Sequence, residues 1–415
     1  MSGLAYAFVG AVTAEAAVRL WLASRQIAAV RAHRDRVPDL FTGQIAPADQ
    51  RKAADYTIAR VRLGRWGTLI DSLASLGFTV GGGLAAVDAL IGHWHWAEPW
   101  AECTVIVTVF VILQLLGSPV ALWRTFVLEA RFGFNRMSPL LFAIDTAKGL
   151  LLGLALGVPL VLATLSLMER AGQWWWAWAW LVWVGASVSL TWAAPRFIAP
   201  MFNRFSALTD AALKQRVEAL LERCGFSAAG GVFVMDGSRR SAHGNAYFTG
   251  IGRNKRIVFF DTLLARIDAN EIEAVLAHEL GHFRLHHVRQ RLATSLVMVL
   301  LGFGMLGLLA REPFLYAAFG VRQTGAMTLL LFAFIVPRMA FFAMPIGSWW
   351  SRRQELAADA YAAEHASAAD LMSALVKLYR DNASTLTPDR VHSAFYDSHP
   401  SAVERITRLK QLATR

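Results

Sequence analysis

The residues with the most specific spacing for chemistry are His278, Glu279 and His282, which form the sequence His-Glu-Leu-Gly-His. Apolar residues precede them at helical spacing, so we predict that they lie on one helix. Histidines four residues apart share one side of a helix and can hold one zinc ion, with the glutamate beside them as general base. The pattern therefore predicts a zinc hydrolase site rather than two solvated histidines on a surface helix.

A catalytic zinc ion needs a third protein ligand and one open position for water. Positions 285 and 288 are Leu and Val, so the third ligand does not follow as in H-E-x-x-H-x-x-G-x-x-H. We expect His286 and His287 to be solvated or to contact lipid headgroups rather than to bind metal. The third ligand must come from another part of the chain.

Glu355 is the better candidate for this ligand. Glu355 and Asp359 would share one face of a helix, so that the first can bind zinc while the second accepts a proton from a ligand histidine. Small residues surround them and would allow the H-E-x-x-H helix to approach closely: Ala357, Ala358, Ala360, Ala362 and Ala363.

The composition indicates that membrane helices carry this site. Of 415 residues, 55% are hydrophobic and 17% are charged, which is far from the average of a soluble protein. A bilayer is spanned by about 20 apolar residues in a helix. We predict seven spans: Leu4–Leu22, which we read as a retained helix, Trp66–Ile91, Cys103–Trp123, Leu150–Met168, Trp174–Ala194, Leu292–Ala310 and Met327–Val336 with its flanks.

The charge distribution predicts how the chain is oriented. Residues 25–65 include nine Arg or Lys, whereas residues 93–100 include none, which is the positive-inside pattern. The formal charge of +11 is explained by this bias, so we predict a lipid bilayer and no nucleic acid as partner. We expect a multi-pass protein of a bacterial inner membrane, or of the endoplasmic reticulum in a eukaryote, with its active site on the cytoplasmic side.

The polar stretches predict a small cytoplasmic α+β domain that two spans interrupt. We divide the chain into residues 1–196 with five spans, 197–290 with the H-E-x-x-H helix, 291–350 with two spans, and 351–415 with the third ligand. The first polar part should contain the strands Val232–Met235, Ala246–Thr249 and Arg256–Phe260. We expect the H-E-x-x-H helix to continue unbroken into the span at Leu292, which would put the zinc ion close to the membrane surface.

Several further motifs occur in a characteristic order: E-A-R-F-G-F-N at Glu129–Asn135, P-M-F-N-R-F-S-A-L at Pro200–Leu208, D-G-S-R-R-S-A-H-G-N-A-Y-F-T-G at Asp236–Gly250, S-R-R-Q-E-L-A-A-D at Ser351–Asp359, and Ser398-His399-Pro400. With the H-E-L-G-H sequence, these motifs resemble those of the type I CAAX prenyl endopeptidases, which are integral-membrane zinc proteases. The resemblance extends over most of the chain.

This resemblance implies the fold and the site residues. The fold would be a polytopic α-helical membrane protein of about seven spans with a gluzincin-type zinc protease domain at the cytoplasmic face. One Zn²⁺ per chain would be bound by His278, His282 and Glu355, with Glu279 activating the water. The resemblance also assigns Asn245 and His243 to substrate binding and His399 to the oxyanion. Charged residues of the spans would line a water-filled chamber: Glu15, Arg19, Asp71, Asp88, Asp145 and Lys148.

The predicted function is a membrane zinc metalloendopeptidase that cleaves near the C terminus of lipidated, CAAX-type or similar membrane-tethered peptides and proteins. A quality-control protease for membrane proteins would have the same site. A seven-helix transporter or receptor with a regulatory metal is disfavoured, because a structural zinc ion would have a fourth protein ligand. An intramembrane protease is disfavoured because Arg284, Arg289 and Arg291 follow the motif.

Overall fold

The computed structural model describes residues 2–226, 230–249 and 256–414, so Gly250 at the end of the Asp236–Gly250 motif lies outside the described residues. Helices dominate the first half: α1 (Gly3–Ala32), α2 (Pro47–Phe78), α3 (Gly83–Gly92), α4 (Trp100–Trp123), α5 (Pro139–Arg170), α6 (Trp175–Ala193) and α7 (Ala199–Phe202). The second half adds four strands: β1 (Phe205–Ala207), β2 (Val232–Met235), β3 (Ala246–Thr249) and β4 (Arg256–Phe260). Its helices are α8 (Ala211–Arg223), α9 (Asp261–Leu264), α10 (Ala269–Arg284), α11 (His287–Leu309), α12 (Pro313–Phe319), α13 (Gly325–Phe341), α14 (Met344–His365), α15 (Ala368–Asp381), α16 (Arg390–Tyr396) and α17 (Ala402–Ala413).

The membrane part has five single helices that are long and apolar enough to cross a bilayer, and two bent helix pairs that raise the number of spans to seven. The bent pairs are α2 with α3, at 57°, and α13 with α14, at 62°. The predicted spans Trp66–Ile91 and Met327–Val336 fall on these pairs. The prediction of a polytopic helical membrane protein with about seven spans and a small α+β domain is confirmed.

Charged groups within the spans pair with one another. Arg338 is buried, and its Nη1 donates to Glu15 Oε2 at 3.0 Å and to Asp71 Oδ2 at 2.6 Å, while Arg19 Nε donates to Glu15 Oε1 at 2.8 Å. These contacts join α1, α2 and α13. A charged side chain that faced lipid would cost about 2.5 kcal/mol or more, so pairing inside the protein stabilises these groups. The other predicted chamber residues also have partners: Asp88 with Arg322, Asp145 with Arg240, and Lys148 with the carbonyl oxygen of Met201.

The sheet of the polar domain has the strand order β1-β2-β4-β3. β2 runs parallel to β4, whereas β1 and β3 pair antiparallel with their neighbours, so β3 is an edge strand of the described sheet. Strands β2, β3 and β4 have the predicted bounds, while the short strand β1 was not predicted. The core beneath the sheet joins α8, α10, α15 and α17 through buried apolar side chains such as Val217, Phe259, Leu276, Leu371 and Leu409.

Candidate metal centre

Helix α10 places the two motif histidines side by side. It begins with a capping box in which Asp268 Oδ1 accepts hydrogen bonds from the backbone N–H of Asn270 and Glu271, and Glu271 Oε2 accepts from the backbone N–H of Asp268. One face of the helix is buried in the domain core, and the rings of His278 and His282 have centroids 5.0 Å apart. The predicted arrangement of two imidazoles on one face is therefore present.

The helix does not continue into the membrane as predicted. α10 ends at Arg284, and α11 begins at His287 after His286 adopts a left-handed backbone conformation with φ of 61°. A non-glycine residue in this region breaks the helical hydrogen-bond ladder, so the span can leave the site in a new direction. The expectation of one unbroken helix from Asn270 into the span at Leu292 is wrong.

Glu355 on α14 completes a group of three possible ligands. Its two carboxylate oxygens lie 3.4 Å from His278 Nε2 and 3.3 Å from His282 Nε2. One ligand atom from each residue falls within 4.8 Å of the others, which is the spacing of ligands around a single ion. The side chains of His278 and Glu355 are buried, so the group lies in the interior between α10 and α14.

Close packing of α10 on α14 makes this spacing possible. Gly281, between the two histidines, lies so near α14 that a Cβ atom at this position would be 3.1 Å from Ala358 Cα and 3.1 Å from Tyr361 Cβ. Ala358 is fully buried at the contact. Ala358, one of the small residues that the sequence predicted to permit close approach, therefore lies at the interface, and Gly281 contributes from the opposite side.

The donor set fits a divalent metal ion. Glu355 Oε2 is buried and has no hydrogen-bond partner among the described residues, although two imidazole nitrogens lie nearby. Two histidine nitrogens and one carboxylate match the protein ligands of catalytic zinc sites. An ion at this point would satisfy the buried carboxylate oxygen.

A second layer of contacts orients His278. Asp359 Oδ1 lies 2.9 Å from His278 Nδ1, as the sequence predicted, and Arg405 on α17 donates two hydrogen bonds to Asp359, one of them from Nε at 2.9 Å. Burial favours the neutral imidazole, but the carboxylates of Asp359 and Glu355 outweigh it and raise the pKa of His278 to about 9. The site therefore favours a positive charge between these carboxylates.

His282 has its own partner, His287. The Nδ1 atoms of the two rings are 3.0 Å apart, and His287 is buried at the start of α11. The interpretation of His287 as a solvated or headgroup-binding residue is wrong, because the break at His286 turns it back toward the site. Burial and the neighbouring His278 lower the pKa of His282 to about 4, so its imidazole is neutral and free to bind a metal ion.

Glu279 and His399 lie at the same centre. Glu279 is half-buried on α10, and burial raises its pKa above the ordinary value, which suits a group that accepts and returns a proton. His399, in the loop between α16 and α17, places Nε2 3.3 Å from Glu355 Oε2, and its side chain is 60% exposed. The structure thus brings His399 to the three candidate ligands from a segment more than 100 residues away along the chain from α10.

The two predicted substrate-binding residues lie in the loop before β3. Asn245 is exposed at the start of the edge strand, and its Oδ1 accepts a hydrogen bond from the backbone N–H of Ala246. His243 stacks on Phe134 with ring centroids 4.3 Å apart and contacts Glu129 and Asn382. These contacts place His243 against the E-A-R-F-G-F-N motif rather than against the candidate ligands.

Two residues of the site were missed by sequence reasoning. Arg405 orients Asp359, and His287 orients His282. An arginine in an amphipathic C-terminal helix gives no local signal of such a role. The pair His286-His287 was visible, but only the helix break shows which of the two turns inward.

The fold and this site define a multi-pass membrane metallopeptidase. Residues 26–204 match the family of the CAAX prenyl protease N-terminal region with five membrane helices, and residues 207–413 match peptidase family M48. The chain is 36% identical to CAAX prenyl protease 1 homolog of Arabidopsis thaliana over 71% of this chain and 69% of the relative. It is 29% identical to CAAX prenyl protease 1 of Saccharomyces cerevisiae, over 92% of this chain and 90% of the relative.

The likeness extends to three dimensions. The crystal structure of S. mikatae Ste24p matches with a TM-score of 0.91 and 26% sequence identity, and the match covers 99% of both chains. The chain therefore belongs to peptidase family M48, among the CAAX prenyl protease 1 homologues, and is a membrane metalloendopeptidase. The resemblance stated from the sequence motifs is confirmed.

Proposed function

We propose that the metal is one zinc ion per chain and that His278, His282 and Glu355 bind it. The observation that carries this proposal is the convergence of two imidazole nitrogens and one unpartnered buried carboxylate oxygen within 4.8 Å. Bound zinc would supply a Lewis acid that polarises the scissile carbonyl and lowers the pKa of water. Asp359 and His287 would fix the orientation of the two imidazoles.

We propose that Glu279 is the general base and His399 the oxyanion donor. Glu279 would accept a proton from the attacking water and then pass it to the nitrogen of the leaving amine, which a group with a raised pKa does more readily than an ordinary carboxylate. An N–H group of His399 would donate to the oxygen of the former carbonyl as negative charge develops on it. Asn245, at the start of edge strand β3, would bind the substrate backbone in an extended form.

The proposed substrate is a lipidated C-terminal peptide of the CAAX type. The support is twofold: the relatives are named CAAX prenyl proteases, and the proposed ligands lie close in sequence to candidate spans. His282 is five residues before His287, where candidate span α11 begins, and Glu355 lies on the helix pair that forms another candidate span. A peptide tethered in the bilayer would therefore reach the site without leaving the membrane surface.

We further propose that the site faces the cytoplasm of a cell whose inner membrane holds the protein. The excess of Arg and Lys in residues 25–65 and 195–291 supports this orientation through the positive-inside rule. In this arrangement residues 197–290 and 351–415 form the protease domain on one side of the membrane. Their shared hydrophobic core, which includes Leu276 of the first part and Leu371 of the second, supports treating them as one folding unit.

Cleavage of matched peptides tests the substrate. We expect a peptide with a farnesylated cysteine, followed by three residues, to be cut at least about tenfold more efficiently than its unmodified twin, because each buried methylene contributes about 0.8 kcal/mol. The gain should appear mainly in KM, since the lipid binds away from the reacting bond. Initial rates and product masses in neutral detergent measure it. Equal kcat/KM for the two peptides would remove the prenyl assignment and favour a quality-control protease of membrane proteins.

A further inference from the structure

A cavity of about 480 Å³ lies at the end of the loop that leads into edge strand β3. It is lined by α2, by the π-helical segment Arg124–Glu129 with the turn after it, by the β2–β3 loop and by the turn after α15. The loop is fixed in place, because Ala242 N donates to Phe134 O at 3.0 Å and Arg136 N donates to Arg240 O at 3.1 Å. The cavity is therefore a formed feature of the domain.

Arginines dominate the charge of this cavity. Arg240 is fully engaged, since it forms two hydrogen bonds with Asp145 and one with Asn203. Arg60 and Arg124 are exposed; Arg124 Nε forms an ion pair with Glu129 Oε1 at 3.8 Å, and the Arg60 guanidinium lies 5.7 Å from the centroid of the Tyr56 ring. Each guanidinium has five N–H donors, so both retain donors for a further anion, and their planar shape suits a carboxylate.

The position of the cavity along β3 relates it to the peptide substrate. A peptide added to the free edge of β3 would lie beside α10, on which β3 packs. Antiparallel pairing is slightly more stable per residue than parallel pairing. In an antiparallel arrangement the C-terminal end of the peptide would pass Asn245 and continue toward His243, which lines the cavity.

The lengths agree with a short C-terminal segment. His243 precedes the first residue of β3 by three positions, which is at most about 10 Å of extended chain. With the scissile bond opposite Ala246, the first residue of β3, three peptide residues after that bond would also span about 10 Å. We propose that Arg60 and Arg124 bind the free α-carboxylate at the C terminus of the substrate. Binding of the chain end would then determine which peptide bond lies at the candidate metal centre. This inference rests on the proposed function and deepens it.

Two peptides that differ only at the C terminus test the proposal. Both carry a farnesylated cysteine followed by three residues, and one ends in a free acid while the other ends in a carboxamide. We expect wild-type protein to prefer the acid by about 10–100-fold in kcat/KM, mainly through KM, as is typical when a charge-assisted hydrogen bond is lost. In the Arg60→Gln/Arg124→Gln variant the ratio should fall to within about threefold of unity.

Arg62→Gln is the matched control, because Arg62 is an exposed arginine on the same helix that does not line the cavity. The Arg62→Gln variant removes one positive charge outside the cavity and should keep the preference for the acid. The ratio is measured within each protein, so a change in the folded fraction does not affect it. Equal rates for acid and amide in wild-type protein would overturn the proposal while leaving the peptidase assignment intact.

Binding to the Glu279→Gln variant separates the two hypotheses. If neither peptide is cleaved by wild-type protein but the acid binds more tightly, and this difference depends on Arg60 and Arg124, the carboxylate site stands and the proposed function fails.

Lipid phosphate is the other anion that could occupy the cavity. If phosphatidylglycerol, added to phosphatidylcholine vesicles, changes both peptide rates together while the acid-to-amide ratio stays near one, the cavity binds lipid and the proposal is wrong.

Discussion

Glu279→Gln should leave the metal in place and lower turnover by about 10²–10⁴-fold, the usual contribution of a general base. The amide has the shape of the carboxylate but cannot accept a proton from water. Glu279 is not in the group of side chains that could hold an ion, so its replacement leaves all three candidate ligands unchanged. Metal analysis of the purified variant and single-turnover kinetics measure the two parts of this prediction.

The control for this variant is Glu222→Gln, which makes the same chemical change at an exposed position of α8. It should keep both metal and activity. Full activity in the Glu279→Gln variant would mean that another group accepts the proton. Loss of metal from this variant would mean that Glu279 is a ligand and that the assignment of the site is wrong.

Glu355→Ala should lose the metal itself. Removing an outer partner of a ligand typically weakens metal binding by about 10–100-fold, and loss of a ligand should exceed this. The variant also leaves His278 and His282 without the carboxylate that both approach within 3.4 Å. Equilibrium competition with a chelator measures the change in affinity.

Glu364→Ala is the matched control, because Glu364 is exposed on the same helix α14 and should not alter metal affinity. If Glu355→Ala binds zinc as tightly as wild-type protein, the third ligand lies elsewhere. His399, which approaches the same carboxylate at 3.3 Å, would then be the first residue to test as a ligand.

The local features of the site could be predicted from the sequence because they depend on short-range rules. Histidines four residues apart must share a face of α10, and the same spacing puts Glu355 and Asp359 on one face of α14. The strand Val232–Met235 has the β-branched and aromatic residues that favour strands.

The features that were missed depend on contacts between distant segments. Local sequence does not predict that His286 adopts a positive φ, because this backbone conformation is less favourable for histidine than for glycine. The conformation is tolerated because the packing of α10 before His286 and of α11 after it determines the turn. Arg405 reaches Asp359 across 46 positions of sequence, which no periodic pattern records.

The bends between helices have a similar origin. The sequence predicted one span where α13 and α14 meet at 62°, with Pro337 inside α13 and Pro345 in the first turn of α14. Proline removes a backbone donor and so weakens the helix near it, but the direction of the bend is set by tertiary packing. Buried Arg338, which binds Glu15 and Asp71, holds α13 at this point.

Zinc titration of metal-free protein tests the central claim most directly. Protein stripped by a chelator should be inactive toward the farnesylated peptide, and activity should rise linearly with added zinc and stop increasing at one equivalent per chain. The Glu355→Ala variant should not recover activity at the same zinc concentrations. Cleavage at the wild-type rate by protein shown to contain no metal would contradict the assignment of His278, His282 and Glu355 as the catalytic metal site.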